Sequence, residues 1–135
     1  MVYCLFGESC TGKSTFAEKI RAKTGAVIYS GKDYLRLAKN EEDAKKAFRA
    51  LLSAPDASVI YVVAEAEQLD LLPDSAVRIL MTADLDLIKE RFAQRTGGKL
   101  PPSLEKMLER KHGSFDDLPH DYQVHNGVWN EMELI

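Results

Sequence analysis

The segment Gly7–Thr15 constrains what this chain can fold into more than any other part of it. Its sequence, GESCTGKST, follows a short apolar run and precedes residues with the apolar spacing of a helix. From Gly7 to Ser14 it matches the pattern G-x-x-x-x-G-K-[ST] at every fixed position, in the strand-to-helix context that the pattern requires. The sequence therefore predicts a phosphate-binding loop between a buried strand and a helix.

In such a loop, successive backbone N–H groups point into one concavity, and glycines keep Cβ atoms out of the ligand's path. A helix that begins near Lys13 adds its unpaired N–H groups and the positive end of its dipole. Lys13 would bind the β- and γ-phosphates of a nucleoside triphosphate, and the Ser14 hydroxyl would bind Mg²⁺. A tight turn with a surface lysine is the alternative interpretation. The residues expected to hold ATP are Gly7, Glu8, Ser9, Cys10, Thr11, Gly12, Lys13, Ser14 and Thr15.

Strand and helix patterns alternate along the whole chain. This order predicts βαβ units and a mostly parallel sheet with helices on both faces. The expected fold class is α/β, a three-layer α/β/α P-loop NTPase fold with a five-stranded sheet, in a single domain of residues 1–135. The predicted strands are Val2–Phe6, Ala26–Tyr29, Ser58–Ala64, Ala76–Met81 and Tyr122–His125. The predicted helices are Lys13–Lys23, one or two turns in Asp33–Lys39, a helix capped by Asn40, Ala83–Arg95 capped by Thr82, and Pro101–His112.

The helix after Asn40 has the clearest amphipathic pattern. Asp43 stands three residues after the predicted cap. Helical spacing predicts one apolar face, made of Ala44, Ala47, Phe48 and Leu51. Elsewhere, Tyr34 and Tyr61 are expected in the core or at its rim.

Composition and charge argue against some kinds of protein. The chain has 135 residues, 18 Lys and Arg, 21 Asp and Glu, and a formal net charge of −3. A dedicated nucleic-acid binder usually has a basic excess, whereas a small anion needs only a local cluster of donors. No apolar run is long enough to span a membrane, so we expect a cytoplasmic protein. We also expect reduced thiols at Cys4 and Cys10, and a monomer or homodimer in which Trp129 packs against the body or a partner subunit.

Arginines stand on both sides of a glycine-containing segment in the second half of the chain. Arg91 and Arg95 are four residues apart on a predicted helix and so share one face, and Arg110 lies beyond Gly97 and Gly98. Residues 96–112 are therefore predicted to form a mobile lid that closes over phosphates and brings the arginines in. A solvated helix face with ion pairs is the alternative.

Two stretches of the second half carry a family resemblance: DLIKERFAQR at Asp86–Arg95 and DYQVHN at Asp121–Asn126. With the phosphate loop, they resemble the P-loop nucleoside-monophosphate kinase family, and are most similar to guanylate kinase. The resemblance implies that Arg91, Arg95 and Arg110 contact the phosphates of ATP and of the acceptor, and that Asn126 lies near the nucleotide. The middle departs from the family: where guanylate kinases have a long acceptor-binding insertion, only residues 31–56 are available.

Acidic and basic residues after the second and third strands are candidates for the acceptor side. In related small-molecule kinases of the superfamily an Asp at this place binds the acceptor hydroxyl, which makes Asp33 a candidate base and Arg36 a candidate phosphate ligand. A helix cap at Asp33 and a solvated Arg36 are the alternatives. Glu65 ends the strongest strand and is a candidate for a Mg²⁺-bound water, with Glu67 as its competitor.

The functional hypothesis is an ATP-dependent phosphotransferase that moves the γ-phosphoryl group to a nucleotide or a similar small acceptor. Two alternatives stay open: a kinase of a non-nucleotide small molecule, and a nucleotide-binding module with little or no transferase activity. A required base at Asp33 favours the non-nucleotide acceptor, because a hydroxyl needs a base and a phosphate does not.

Overall fold

The fold is described over residues 1–127 of a computed structural model. Trp129, which was predicted to pack against the body or a partner subunit, lies outside the described residues. None of the helices within residues 1–127 combines the length and the apolar character needed to cross a bilayer. Cys4 and Cys10 are free thiols, and both are buried.

A five-stranded sheet forms the centre of the molecule. All the strand pairs are parallel, and the strand order is β2-β3-β1-β4-β5. β1 and β3 are buried along their whole length, because layers of helices cover both faces of the sheet. The strands are β1 (Val2–Gly7), β2 (Val27–Ser30), β3 (Val59–Val63), β4 (Val77–Thr82) and β5 (Tyr122–His125).

Helices connect the strands, and two short 3₁₀ segments follow β2 and β3. The 3₁₀ segment after β3 was not predicted. The helices are α1 (Lys13–Thr24), α2 (Glu41–Ser53), α3 (Leu85–Arg95) and α4 (Pro102–Lys111), and the 3₁₀ segments are η1 (Asp33–Leu37) and η2 (Ala66–Leu71). Together with the sheet they form the three-layer α/β/α arrangement that the sequence predicted.

Each face of the sheet has its own apolar core. On the α1 face, Phe16 and Ile20 pack in one buried cluster with Leu5 and Ile79. On the α2 face, aromatic rings surround Phe48, whose ring centroid lies 4.9 Å from that of Tyr61 and 5.6 Å from that of Tyr34. Tyr34 and Tyr61 are 2% and 0% exposed, which confirms their predicted core position.

The structure corrects the predicted apolar face of α2. Ala44 and Phe48 are buried as predicted, but Ala47 and Leu51 are exposed, and Leu52 completes the buried face. The spacing of four from Ala44 to Phe48 to Leu52 keeps these side chains on one side of the helix, whereas Leu51 is rotated toward solvent.

One predicted cap is confirmed and another is wrong. Asn40 caps α2, since its side-chain oxygen accepts a hydrogen bond from the Asp43 N–H at 2.8 Å. Thr82 does not cap α3, because it is the last residue of β4 and its hydroxyl lies 2.9 Å from Nδ1 of His125. The N-cap residue of α3 is Asp84.

Candidate functional site

The predicted phosphate loop joins the central strand β1 to α1. Gly7 has φ of 153°, and a Cβ atom at this position would lie 2.2 Å from the carbonyl oxygen of Met81 in β4. Any larger residue would therefore force the loop away from the neighbouring strand. Gly12, with φ of 93°, is the N-cap residue of α1.

Lys13 is folded back onto the loop that contains it. Its Nζ donates hydrogen bonds to the carbonyl oxygens of Gly7 at 2.7 Å and of Glu8 at 2.6 Å. Burial disfavours the charged ammonium and lowers the pKa of Lys13 to about 8. The Thr11 hydroxyl donates to the same Glu8 carbonyl at 2.9 Å. Side chains of the loop therefore occupy carbonyl oxygens at its own beginning.

Two of the three predicted arginines lie beside the loop. Nη1 of Arg91 donates to the carbonyl oxygen of Cys10 at 2.9 Å, and Cys10 itself is buried with φ of 62°. Arg91 and Arg95 both line a cavity of about 460 Å³ between the loop, α1 and α3. Lys19 and Gln94 also line this cavity and were not predicted.

Arg110 lies elsewhere. It is exposed on α4, where it lines a separate depression with Ser103, Lys106 and Glu109.

The side chain of Glu8 joins the loop to the segment after α4. Its carboxylate lies 3.2 Å from Nδ1 of His112 and accepts a hydrogen bond from the Gly113 N–H at 3.1 Å. The two partners are more than one hundred positions away in the sequence, so no local pattern indicated this contact. Glu8 therefore contributes its backbone to the loop and its side chain to a contact with the segment after α4.

Asn126 is held at the carboxyl end of β5. Its Oδ1 accepts from the Asp84 N–H at 2.9 Å, and its Nδ2 donates to the Asp84 carboxylate at 3.0 Å. Hydrogen bonds from Asn126 and His125 lower the pKa of Asp84, and the bond from Asn126 has the larger effect. Gly127, the next residue, lines the 460 Å³ cavity, so this network fixes the chain where it enters the cavity wall.

The two predicted acceptor residues lie close to the end of β2. The Asp33 carboxylate accepts a hydrogen bond from the Ser30 N–H at 2.9 Å, and the Arg36 guanidinium stacks 4.7 Å from the centroid of the Tyr29 ring. A second cavity, of about 240 Å³, lies between η1, α2 and η2, and neither residue lines it. Gln68, buried on η2, lines this cavity and was missed because a 3₁₀ segment has no periodic pattern to reveal it.

The predicted metal ligands are at the same end of the sheet. Ser14 is exposed in the first turn of α1, and its hydroxyl has no hydrogen-bond partner within residues 1–127. Glu65 is exposed between β3 and η2. The described part of the chain has no group of three His, Cys, Asp or Glu residues that could hold a metal ion. Mg²⁺ carried by a nucleotide fits the single hydroxyl of Ser14, since its other ligands are phosphate oxygens and waters.

The sheet, its two layers of helices and the loop after β1 define a three-layer α/β/α P-loop fold. No family model matches the chain, and no curated protein matches it. Similar solved structures include the shikimate kinase from Acinetobacter baumannii in complex with shikimate. Compared with this chain, it has a TM-score of 0.65 and a sequence identity of 13%. The match covers 98% of this chain and 87% of that chain.

Two further structures are similar. The YorR protein from Bacillus subtilis, in complex with phosphorylated GDP, has a TM-score of 0.62 and 21% identity, over 99% of this chain and 91% of that one. A gluconokinase from Sinorhizobium meliloti 1021 has a TM-score of 0.56 and 15% identity. The match covers 95% of this chain and 83% of that one. At these identities the likeness shows the fold alone, and it confirms the predicted three-layer α/β/α fold with a mostly parallel five-stranded sheet. The resemblance to guanylate kinase in particular stays a prediction.

Proposed function

We propose that this chain is an ATP-dependent phosphotransferase that acts on a small acceptor. The observation that supports this most strongly is the cavity of about 460 Å³ beside the loop, which Arg91, Arg95 and Lys19 line. β1 is the central strand, and the 240 Å³ cavity lies toward η1, α2 and η2 without a lining residue from the loop. An enzyme that joins two substrates needs two sites, and the loop would hold the phosphates that pass between them.

The larger cavity suits the nucleotide. Its volume lies within the range of about 300–1,000 Å³ that is usual for ligand sites. Arg91, Arg95 and Lys19 supply positive charge along its walls, next to the backbone N–H groups at the start of α1. The Lys13 ammonium would exchange the carbonyls of Gly7 and Glu8 for phosphate oxygens when ATP enters.

On the acceptor side, Asp33 would take the proton of an attacking hydroxyl. One of its carboxylate oxygens accepts from Ser30, and the other has no hydrogen-bond partner within residues 1–127. Arg36 is proposed to contact the acceptor, which requires it to leave the Tyr29 ring. Mg²⁺, when bound with ATP through Ser14 and a water held by Glu65, would supply charge neutralisation on the phosphates.

Closure of the lid, residues 96–112, would bring Arg110 to the phosphates and exclude water. Catalysis would then rest on positioning and electrostatic stabilisation by Lys13, Arg91, Arg95 and Arg110, as is general for phosphoryl transfer.

ATP consumption tests this proposal. Turnover is measured alone and with polyols, hydroxy acids, amino acids, AMP and GMP, for the wild type and for Lys13→Met. We expect one acceptor class to stimulate turnover and Lys13→Met to lower that rate at least about 100-fold. Lys23→Met is the matched control, because Lys23 is exposed in the last turn of α1 and does not line the cavity. Equal slow turnover with every compound would instead indicate a nucleotide-binding module.

A further inference from the structure

The cavity between η1, α2 and η2 is smaller than a nucleotide site. Its volume of about 240 Å³ lies below the usual range for ligand pockets, about 300–1,000 Å³. Its apolar lining includes Tyr34 and Leu71, whereas most other lining side chains are charged or carry an amide. These properties suit a small and very polar molecule.

The charges of this cavity that have no ion-pair partner are separated by sign. On α2, Glu41 and Lys45 both line the cavity and pair with each other at 3.6 Å, so together they add no net charge. The other basic side chains are Arg49 on α2 and Lys32 before η1, and the other acidic ones are Glu67 and Asp70 on η2. The bases and acids without a partner therefore come from different elements.

Most of these charges have no partner among residues 1–127. Lys45 pairs with Glu41, at 3.6 Å along α2. Within residues 1–127, Lys32, Arg49, Glu67 and Asp70 make neither an ion pair nor a hydrogen bond through their side chains. Water solvates them in the free protein, and a ligand that displaces this water must offer a partner to each sign of charge.

Gln68 adds an uncharged polar side chain to the lining of the same cavity. Its side chain lines the cavity and is 6% exposed, and its Oε1 has no hydrogen-bond partner in the described part of the chain. A buried carbonyl oxygen without a donor is rare and costly. If the Gln68 amide turns so that Oε1 faces the cavity, a ligand that offers an O–H or N–H group would satisfy it.

We propose that this cavity binds a small hydroxylated zwitterion of about the size of an amino acid. Its anionic group would lie on Arg49 and Lys32, its ammonium group on Glu67 and Asp70, and a donor on Oε1 of Gln68. A purely anionic acceptor would leave the acids of η2 unpaired, and a purely cationic one would leave Arg49 unpaired.

The role of this ligand as phosphoryl acceptor rests on the proposed function, whereas its binding does not. In the transfer, the ligand's hydroxyl oxygen forms a bond to the γ-phosphorus of ATP, and the bond from that phosphorus to the β–γ bridging oxygen breaks. ADP leaves with the electron pair of that bond. Asp33 does not line the cavity but stands between Lys32 and Tyr34, which do, so the ligand's hydroxyl would extend past the cavity edge and pass its proton to the carboxylate of Asp33.

Calorimetry without ATP tests binding alone. The zwitterions L-serine and L-homoserine are compared with analogues that lack the ammonium group, 3-hydroxypropionate and 4-hydroxybutyrate. They are also compared with analogues that lack the carboxylate, ethanolamine and 3-amino-1-propanol, and with GMP. We expect at least one zwitterion to bind at least about tenfold more tightly than both of its analogues and GMP, because each analogue loses one charged pair.

Variants of the lining residues test whether the zwitterion binds in this cavity. Arg49→Gln and Asp70→Asn should each weaken zwitterion binding at least about tenfold. Lys46→Gln and Glu42→Gln are the controls, because both residues are exposed on α2 and do not line the cavity. In a two-dimensional NMR titration, the side-chain amide signals of Gln68 should shift with the zwitterion and not with ethanolamine.

The outcomes separate this inference from the proposed function. No binding of either zwitterion, equal binding of the analogues, or binding unchanged by Arg49→Gln and Asp70→Asn would overturn the inference. If zwitterion binding follows the expected pattern but no ATP is consumed, the cavity assignment stands and the phosphotransferase proposal fails. If GMP or a hydroxy acid stimulates ATP turnover while no zwitterion binds, the phosphotransferase proposal stands and the cavity assignment fails.

Discussion

At the scale of single residues, Lys13 has two competing environments. The carbonyl oxygens of Gly7 and Glu8 accept hydrogen bonds from its ammonium group, which favours the charged form. Burial favours the neutral form and is the larger effect, so the pKa falls to about 8. The lysine that should bind phosphates is therefore close to losing its proton under mildly alkaline conditions.

This residue predicts a pH dependence for ATP binding. A bound triphosphate stabilises the ammonium, so binding requires the protonated form. Affinity should be full below about pH 7 and should fall as the pH rises through about 8, approaching a tenfold loss per pH unit beyond it. Calorimetry from pH 7 to 9.5 measures this loss. Lys13→Met should bind ATP weakly with no such trend, and a wild-type affinity that stays constant to pH 9.5 would contradict the prediction.

At the scale of elements, three contacts tie the helices of the second half to the loop and to each other. Arg91 on α3 donates to the loop carbonyl of Cys10, and Glu8 on the loop binds the segment after α4. Lys89 on α3 pairs with Glu105 at 3.2 Å and Glu109 at 2.8 Å, both on α4. The loop, α3 and the region of α4 are therefore each linked to the other two, and a movement of the proposed lid, residues 96–112, would break the link made by Glu8.

Removal of that link should loosen α4 selectively. We expect Glu8→Ala to raise the hydrogen-exchange rates of amides in residues 102–113 several-fold, because the Gly113 N–H and the His112 ring lose their acceptor. Exchange in β1 and β3 should not change. The matched control is Glu18→Ala, since Glu18 is exposed on α1 and pairs only with Arg21 among the described residues. Equal exchange rates in α4 for both variants would show that the link does not restrain α4.

At the scale of the whole molecule, the α2 face of the sheet depends on one aromatic ring. Phe48 contacts Tyr29 of β2, Tyr34 of η1 and Tyr61 of β3, with ring centroids 5.1, 5.6 and 4.9 Å away. The walls of the smaller cavity thus rest on the same cluster that holds α2 to the sheet. Stability and the shape of the proposed acceptor site are coupled there.

Truncation of this ring should destabilise the whole domain. We expect Phe48→Ala to lower the free energy of unfolding by about 3–5 kcal/mol, the usual cost of removing a buried phenyl group. Leu51→Ala, three residues further along α2 and 36% exposed, should cost less than about 1 kcal/mol. Urea unfolding followed by circular dichroism measures both. Similar losses for the two variants would mean that Leu51 belongs to the core after all.

The sequence was sufficient where neighbouring residues determine the structure. The strand, loop and helix from Val2 to Thr24 follow from apolar runs and glycine positions, and Asn40 caps α2 through a residue three positions away. The sequence was insufficient where residues that are far apart along the chain contact each other. Glu8 reaches Gly113 across 105 positions, and the smaller cavity combines three separate segments around Gln68. Such contacts depend on the strand order, which local patterns do not encode.

The position of β1 in the sheet also has a consequence for biosynthesis. The ribosome makes the phosphate loop before β3 and β4, the strands with which β1 pairs. Gly7 completes its close approach to Met81 only once β4 is in place. In the nascent chain β1 therefore stays without these partners until β3 and β4 have been made, and a chaperone that shields Val2–Phe6 during that period would raise the yield of folded protein.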